Sequence, residues 1–296
     1  MENKNTGHGN INFICKGDGF EEIPRHILER ANLSLPKAHT NKGDIAVLSK
    51  EIAREYKDNI CKVPFCVTVE AEALGAKINL GDNIYGPRVN EYVFDTIEEL
   101  KSIREIDLFS GRIKEVLDAI ETLSNEGETV CLNVEGPFTI VSSLIKSNTF
   151  YKELRKNKGT IDEILEKIKK SIVKYCIEGI RKGAKIISYG DPAGNIDIIG
   201  PKIYKDFSGR VSYEILKELE PYLDHSIVSI CGKMSMGLDS MGYIEPESVE
   251  YSEFMKYGQA ILDIIENKKH VKFIGYNCMK NTSAMLNKPI VWEIII

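Results

Sequence analysis

A chain of 296 residues with 43% hydrophobic and 28% charged residues has the composition of an ordinary globular protein, and it suits one barrel-type domain, which commonly runs to ~250 residues. A formal charge of -5 leaves no basic footprint for nucleic acid or an anionic membrane, so neither is expected as a partner. The polar start Met1-Glu2-Asn3-Lys4-Asn5 does not read as a secretory signal. No apolar stretch approaches the ~20 residues that cross a bilayer, and 7 cysteines scattered without a CxxC pair read as a reduced, cytosolic chain.

In chain order, Asn10 to Cys15 is a candidate first strand. Helical patterns run from Phe20 to Asn32 and from Gly43 to Tyr56, followed by a short strand within Asn59 to Phe65. Pro64 stands near its end, where a missing N–H is tolerated. Short β-prone pieces at Lys77 to Leu80 and Tyr92 to Phe94, separated by Gly81, Asp82, Gly86 and Pro87, predict a hairpin-like excursion. Helices are predicted at Thr96 to Ile103 and Gly111 to Ser124. Then come a strand at Thr129 to Val134, a helix at Ile140 to Ile145, two further helices up to Lys182 and a strand at Lys185 to Tyr189. Ile161, Ile164, Leu165, Ile168, Ile172 and Tyr175 recur at helical spacing and mark a long helix buried on one face. The rest reads as a helix at Val211 to Leu219, a strand at Ser226 to Ile230, a short strand at Val249 to Tyr251, a helix at Phe254 to Asn267 and a strand at Val271 to Gly275.

Short β-rich runs alternating with longer helices are the pattern of parallel β/α units. The fold expected is therefore α/β, a (β/α)8 TIM-barrel-like domain over residues 1–296 with an N-terminal helical extension. Seven strands are found, so the barrel is contracted by one strand near the C-terminal side. The β-prone run Pro289 to Ile296, with Trp292 in it, either closes that gap, pairs elsewhere or forms an interface between copies.

In such barrels the chemistry sits where strands end. Here those positions carry Glu135-Gly136-Pro137-Phe138-Thr139, Gly190-Asp191-Pro192-Ala193-Gly194, Cys231-Gly232-Lys233 and Tyr276-Asn277-Cys278. Two thiols and two carboxylates are thereby expected on one rim. Cys231 and Cys278 with one carboxylate would match a catalytic zinc, which takes three protein ligands and keeps one position open. Plainer roles stand beside these: buried thiols as small hydrophobes, Glu135 as a helix N-terminal carboxylate, Asp191 as a turn former. His39 reads as a surface or packing residue. His225 lies before its strand, and six extended residues, roughly 20 Å, keep it from the metal of Cys231.

The stretch Val63-Pro64-Phe65-Cys66-Val67-Thr68-Val69-Glu70-Ala71-Glu72-Ala73-Leu74-Gly75-Ala76, the two Gly-Pro-type strand ends above, Ile230-Cys231-Gly232 and Gly275-Tyr276-Asn277-Cys278 together resemble the uroporphyrinogen decarboxylase superfamily. Within it they most resemble the cobamide-dependent methyltransferase branch, over roughly residues 35–290 and in the same order. The resemblance implies a corrinoid-dependent methyltransferase: a methyl group moves between a cobamide, free or on a partner corrinoid protein, and a small acceptor or donor such as a thiol held by zinc. It implies Cys231, Cys278 and Glu135 as metal ligands, Glu135 and Asp191 as catalytic groups, and Glu70, Phe138 and Asn277 as cofactor-binding residues.

Three departures bear on this. Ser229 stands where the family's zinc motif has a histidine, the interval from Cys231 to Cys278 is short, and residues 1–20 lack the arginine-rich motif of true decarboxylases. They leave two alternatives: a metal-free corrinoid methyltransferase, in which Glu135 or Asp191 acts on a methoxy or methylamine substrate as general acid, and a non-catalytic tetrapyrrole-binding relative.

Overall fold

The computed structural model describes residues 23–82 and 84–296. The strand expected at Asn10 to Cys15 lies outside them. Among the described residues the strands are β1 Ile60–Val63, β2 Lys77–Asn79, β3 Arg88–Glu91, β4 Thr129–Glu135, β5 Ala184–Gly190, β6 Ile227–Ile230, β7 Glu245–Glu250, β8 Phe273–Gly275 and β9 Ile290–Ile295. β2 and β3 form the separate antiparallel excursion. The other seven make one sheet in the order β1-β4-β5-β6-β8-β9-β7. β1, β4, β5, β6 and β8 are parallel, and β9 runs antiparallel to both β8 and β7.

This is a TIM-barrel-like α/β fold, and its central strands show why. Every residue of Ile227-Val228-Ser229-Ile230 is buried, as expected of a parallel strand covered on both faces. The helices that cover the sheet bury one stripe each. In Lys158–Arg181 the stripe is the predicted one, Ile161, Ile164, Leu165, Ile168, Ile172 and Tyr175, and the helix packs on β4 and β5. The helix expected at Ile140 to Ile145 begins earlier, at Pro137, and ends at Leu144. Proline fits its first turn because that N–H has no intrahelical partner.

The contraction on the C-terminal side takes a specific form. β6 pairs directly with β8. The intervening β7 is displaced to the far edge, where β9 links it to β8. Sequence explains the exchange: Glu245, Pro246, Glu247 and Glu250 suit an exposed edge, whereas Ile290-Val291-Trp292-Glu293-Ile294-Ile295 brings the apolar residues a more central strand needs. Val291 and Ile294 are buried, and Trp292 packs edge-on against Tyr276 with ring centroids 6.2 Å apart. The C-terminal run thus serves the sheet.

No strand ladder joins β1 to β7 among the described residues. Side chains cross instead between the chain around β1 and the segments on either side of β8. The Lys62 ammonium lies 2.7 Å from Asp58 Oδ2 and donates to the Thr282 hydroxyl, which also donates to Asp58. Lys256 Nζ donates to the Lys57 carbonyl at 3.1 Å. No helix of the described residues is long and apolar enough to cross a membrane.

Candidate active site

Strand register stacks side chains into rows, as in barrel interiors generally. Cys131, Ile186 and Ile227 stand side by side on β4, β5 and β6, in a buried apolar cluster. Two residues further along come Asn133, Ser188 and Ser229, a polar row, and two further still Glu135 beside Gly190. Above the apolar row opens a cavity of about 550 Å3, within the range of small-molecule sites. Its wall includes the whole polar row, Lys62 from β1, and Glu135, Cys231, Asn277 and Cys278 from the ends of three strands, β4, β6 and β8.

Four of the residues expected at the site therefore meet at one cavity: Glu135, Cys231, Asn277 and Cys278. Asn277 and Cys278 are aimed by Tyr276, whose φ of 62° is unusual for a side-chain-bearing residue. Its N–H donates to Ser235 Oγ at 3.2 Å and its hydroxyl to Asp239 at 2.7 Å, contacts that offset the backbone cost of roughly 1 kcal/mol.

Asp191, Glu70 and Phe138 lie outside the cavity wall. Asp191 is buried, and its carboxylate accepts from the Thr139 N–H and hydroxyl, both at 2.8 Å, and from the Phe138 N–H at 3.1 Å, while the nearby Ser208 hydroxyl donates to the Gly194 carbonyl at 2.9 Å. Burial pushes its pKa up, and those donors oppose the shift. It holds the start of the helix Pro137–Leu144 against the end of β5. A Cβ on Gly136 would come within 2.4 Å of the Asp191 Cβ, so only glycine allows this approach. Glu70 is likewise buried and accepts the Glu135 N–H at 2.9 Å. Burial raises its pKa to about 7, against the pull of that hydrogen bond and of Arg112. Phe138 packs edge-on against Phe150, with centroids 5.2 Å apart.

The zinc expectation meets a chemical obstacle. Among the described residues no three His, Cys, Asp or Glu side chains form a group able to hold a metal ion. Cys231, Cys278 and Glu135 share the cavity without supplying the three-ligand set of a catalytic zinc. Ser229 lines the same wall, buried and beside the Tyr257 hydroxyl.

Several wall residues were not singled out from sequence. Lys62 and Asp58 line the cavity, but their partner Thr282 is more than two hundred residues away in the chain, beyond any local pattern. Cys66 also lines it, and its sulfur accepts from Arg112 Nη1 at 3.1 Å. Arg112 in turn donates to Thr68 at 2.8 Å and pairs with Glu72. The inward alternation of β1 marks Lys62, since Ile60 and Lys62 share a face. His39 is buried, 6.1 Å from the Phe65 ring and beside Arg112, and burial with that cation lowers its pKa to about 4. His225 is exposed at the opposite end of β6.

Comparison with known proteins places this arrangement. A methylcobamide:CoM methyltransferase, MtaA, of Methanosarcina barkeri is 26% identical over 218 residues, 73% of this chain and 63% of the relative. Another, MtbA, of Methanosarcina acetivorans is 24% identical over 217 residues, 72% of this chain and 64% of the relative. The chain thus matches less than two thirds of these relatives' length. The solved structure of a methyltransferase from Methanosarcina mazei superimposes with a TM-score of 0.64 at 21% identity, covering 72% of this chain and 65% of that one, which supports the fold. Residues 21–280 match the family model described as uroporphyrinogen decarboxylase (URO-D), and the chain belongs to that family.

Proposed function

We propose that this chain is a methyltransferase that moves a methyl group between a cobamide and a small acceptor or donor bound in the cavity. One observation carries the reading: in a chain similar over nearly three quarters of its length to proteins named methylcobamide:CoM methyltransferases, the strand ends within the family-matched residues 21–280 bring Glu135, Cys231, Asn277 and Cys278 to one cavity. About 550 Å3 suits the small partner. A corrin ring with its side chains is larger, so the cobamide is presented at the rim, on a corrinoid protein or free.

For a thiol acceptor, the sulfur attacks the methyl carbon in line, the carbon–cobalt bond breaks with its electron pair left on cobalt, and the thiol proton must leave. Glu135 is the carboxylate at the rim suited to accept it. Glu70 fixes the Glu135 backbone through its N–H, and Asp191 fixes the next turn of chain, so both act as positioning residues. Among the described residues no three His, Cys, Asp or Glu side chains form a group able to hold zinc, so the thiol proton passes to Glu135 without one. The same donor set favours a second reading, a metal-free demethylase of a methoxy or methylamine donor, in which Glu135, rather than Asp191 outside the wall, is the general acid.

Anaerobic incubation with methylcobalamin and a panel of thiols, followed by the absorbance change on demethylation, tests the first reading. Thiol-dependent demethylation that falls at least tenfold in Glu135→Gln is the expected result. Methylation of cob(I)alamin by methoxylated or methylamine donors alone would favour the second. Neither activity under either arrangement would overturn both.

A further inference from the structure

We propose that the cavity selects a small zwitterion, of α-amino-acid type, over a purely anionic molecule of similar length; this rests on the methyl-transfer reading and names the substrate class for it. The charged side chains on the wall among the described residues are Asp58, Glu135, Lys62 and Lys280, two of each sign, so the wall presents no net charge to draw in a lone anion. At the deep end the Lys62 ammonium is already compensated, 2.7 Å from an Asp58 carboxylate whose side chain is only 5% exposed. An anion that took Lys62 for itself would leave that buried carboxylate without its counter-charge, which is strongly unfavourable. A zwitterion does not. Its carboxylate replaces Asp58 at Lys62 while its ammonium replaces Lys62 at Asp58, and every charge keeps a partner.

The polar row supports such a group. Asn133, Ser188 and Ser229 stand in register next to the clasp's level of the barrel, and all three line the cavity, with Ser229 2% exposed and beside the buried Tyr257 hydroxyl. The row lies two residues below Glu135 and Gly190, roughly 7 Å along the strands. Lys62 is in register with Cys131, one level deeper than the row, so the charged end sits on the clasp and the row lies along the body of the molecule towards the rim.

Calorimetric titration of the protein without corrinoid tests this independently of turnover. The probes are L-homocysteine and L-methionine as zwitterions, 2-mercaptoethanesulfonate and 3-mercaptopropionate as anions, and 2-mercaptoethanol as the neutral control. Wild type is expected to bind the zwitterions at least tenfold more tightly than either anion. In Asp58→Asn the freed Lys62 should reverse that order. Lys62→Met should weaken the zwitterions at least tenfold and leave the neutral thiol unchanged. Anions bound as tightly as zwitterions by wild type, or no binding of any of the five, would overturn the proposal, and the wild-type titrations decide this even where a variant fails to fold. Failure of the methyl-transfer reading appears elsewhere, as absent demethylation with zwitterion binding intact.

Discussion

On the β4–β5 flank of the cavity, Asp191 ties two strand ends to the following helix through buried hydrogen bonds, and the strands are parallel and seven residues long. On the β6–β8 flank the parallel strands shorten to four and three residues, β7 is missing from its expected place, and an antiparallel C-terminal strand completes the sheet. Both flanks end in residues that reach the cavity, yet one is held by local polar contacts and the other by a strand from the end of the chain. The first flank is therefore vulnerable to single polar substitutions. The second depends on long-range apolar packing.

The most disruptive test of this contrast is deletion of residues 289–296. It removes β9, exposes β8 and β7, and takes away the buried Val291 and Ile294, each contributing about 1.5–3 kcal/mol through burial. With total stabilities of about 5–15 kcal/mol for a domain, the truncated chain is expected to lose its cooperative thermal transition. A cooperative melt close to that of the full chain would show that β6–β8 stands without its substitute strand.

On the other flank Asp191→Ala should cost about 3 kcal/mol, because the Phe138 and Thr139 N–H groups and the Thr139 hydroxyl lose a buried acceptor at once. Urea denaturation reads the difference. Cys278→Ser, at a half-buried wall position, is expected to change stability by under ~1 kcal/mol, so equal losses in the two variants would erase the contrast.

Two buried groups near the β1 and β4 strand ends oppose one another in their dependence on pH. Glu70 is raised from 4.5 to about 7 by burial, so its contribution is present below pH 4.5 and is lost as pH rises through 7. His39 is lowered from 6.5 to about 4, so its contribution is present above pH 6.5 and is lost as pH falls through 4. Each shift corresponds to roughly 3 kcal/mol. Between pH 4.5 and 6.5 the two slopes cancel. Glu70→Gln should leave stability rising with pH across that window, and His39→Gln should leave it falling. Denaturant titrations at four pH values distinguish these slopes, and parallel curves for both variants would refute the assignment.

What the sequence made legible follows the same division. The 3.6-residue stripe from Ile161 to Tyr175 and the apolar runs of β4, β5 and β6 are local signals, and they located the helix and strands that build the cavity. Gly136 and Asp191, adjacent to prolines, marked strand ends correctly, but nothing local shows that Asp191 turns away from the cavity toward Thr139. The exchange of β7 for β9 was legible only as a shortage of strands, since it is decided by competition between segments forty residues apart. Lys62 was hidden for the same reason: its inward position follows from alternation, but its partners Asp58 and Thr282 meet only when the barrel closes.

The smallest expected effect concerns Ser229, where the two flanks touch. Its hydroxyl stands in register with Ser188 on the β5 side and two residues before Cys231 on the other. A serine is a poor zinc ligand, whereas an imidazole at this position would join Cys231 and Cys278 around the same cavity wall and complete a three-ligand set. Elemental analysis of anaerobically purified protein should therefore give well under one zinc per chain for wild type and a value approaching one for Ser229→His, with the gain abolished by adding Cys278→Ser. Because Ser229 is buried in a close-packed strand, the larger side chain should cost about 1–3 kcal/mol by overpacking, so a modest loss of stability accompanies the gain of metal. Stoichiometric zinc in wild type that disappears in Cys231→Ser would instead mean that two thiolates and one further donor already meet, and the absence of a third ligand would have to be abandoned as the difference between this cavity and a zinc site.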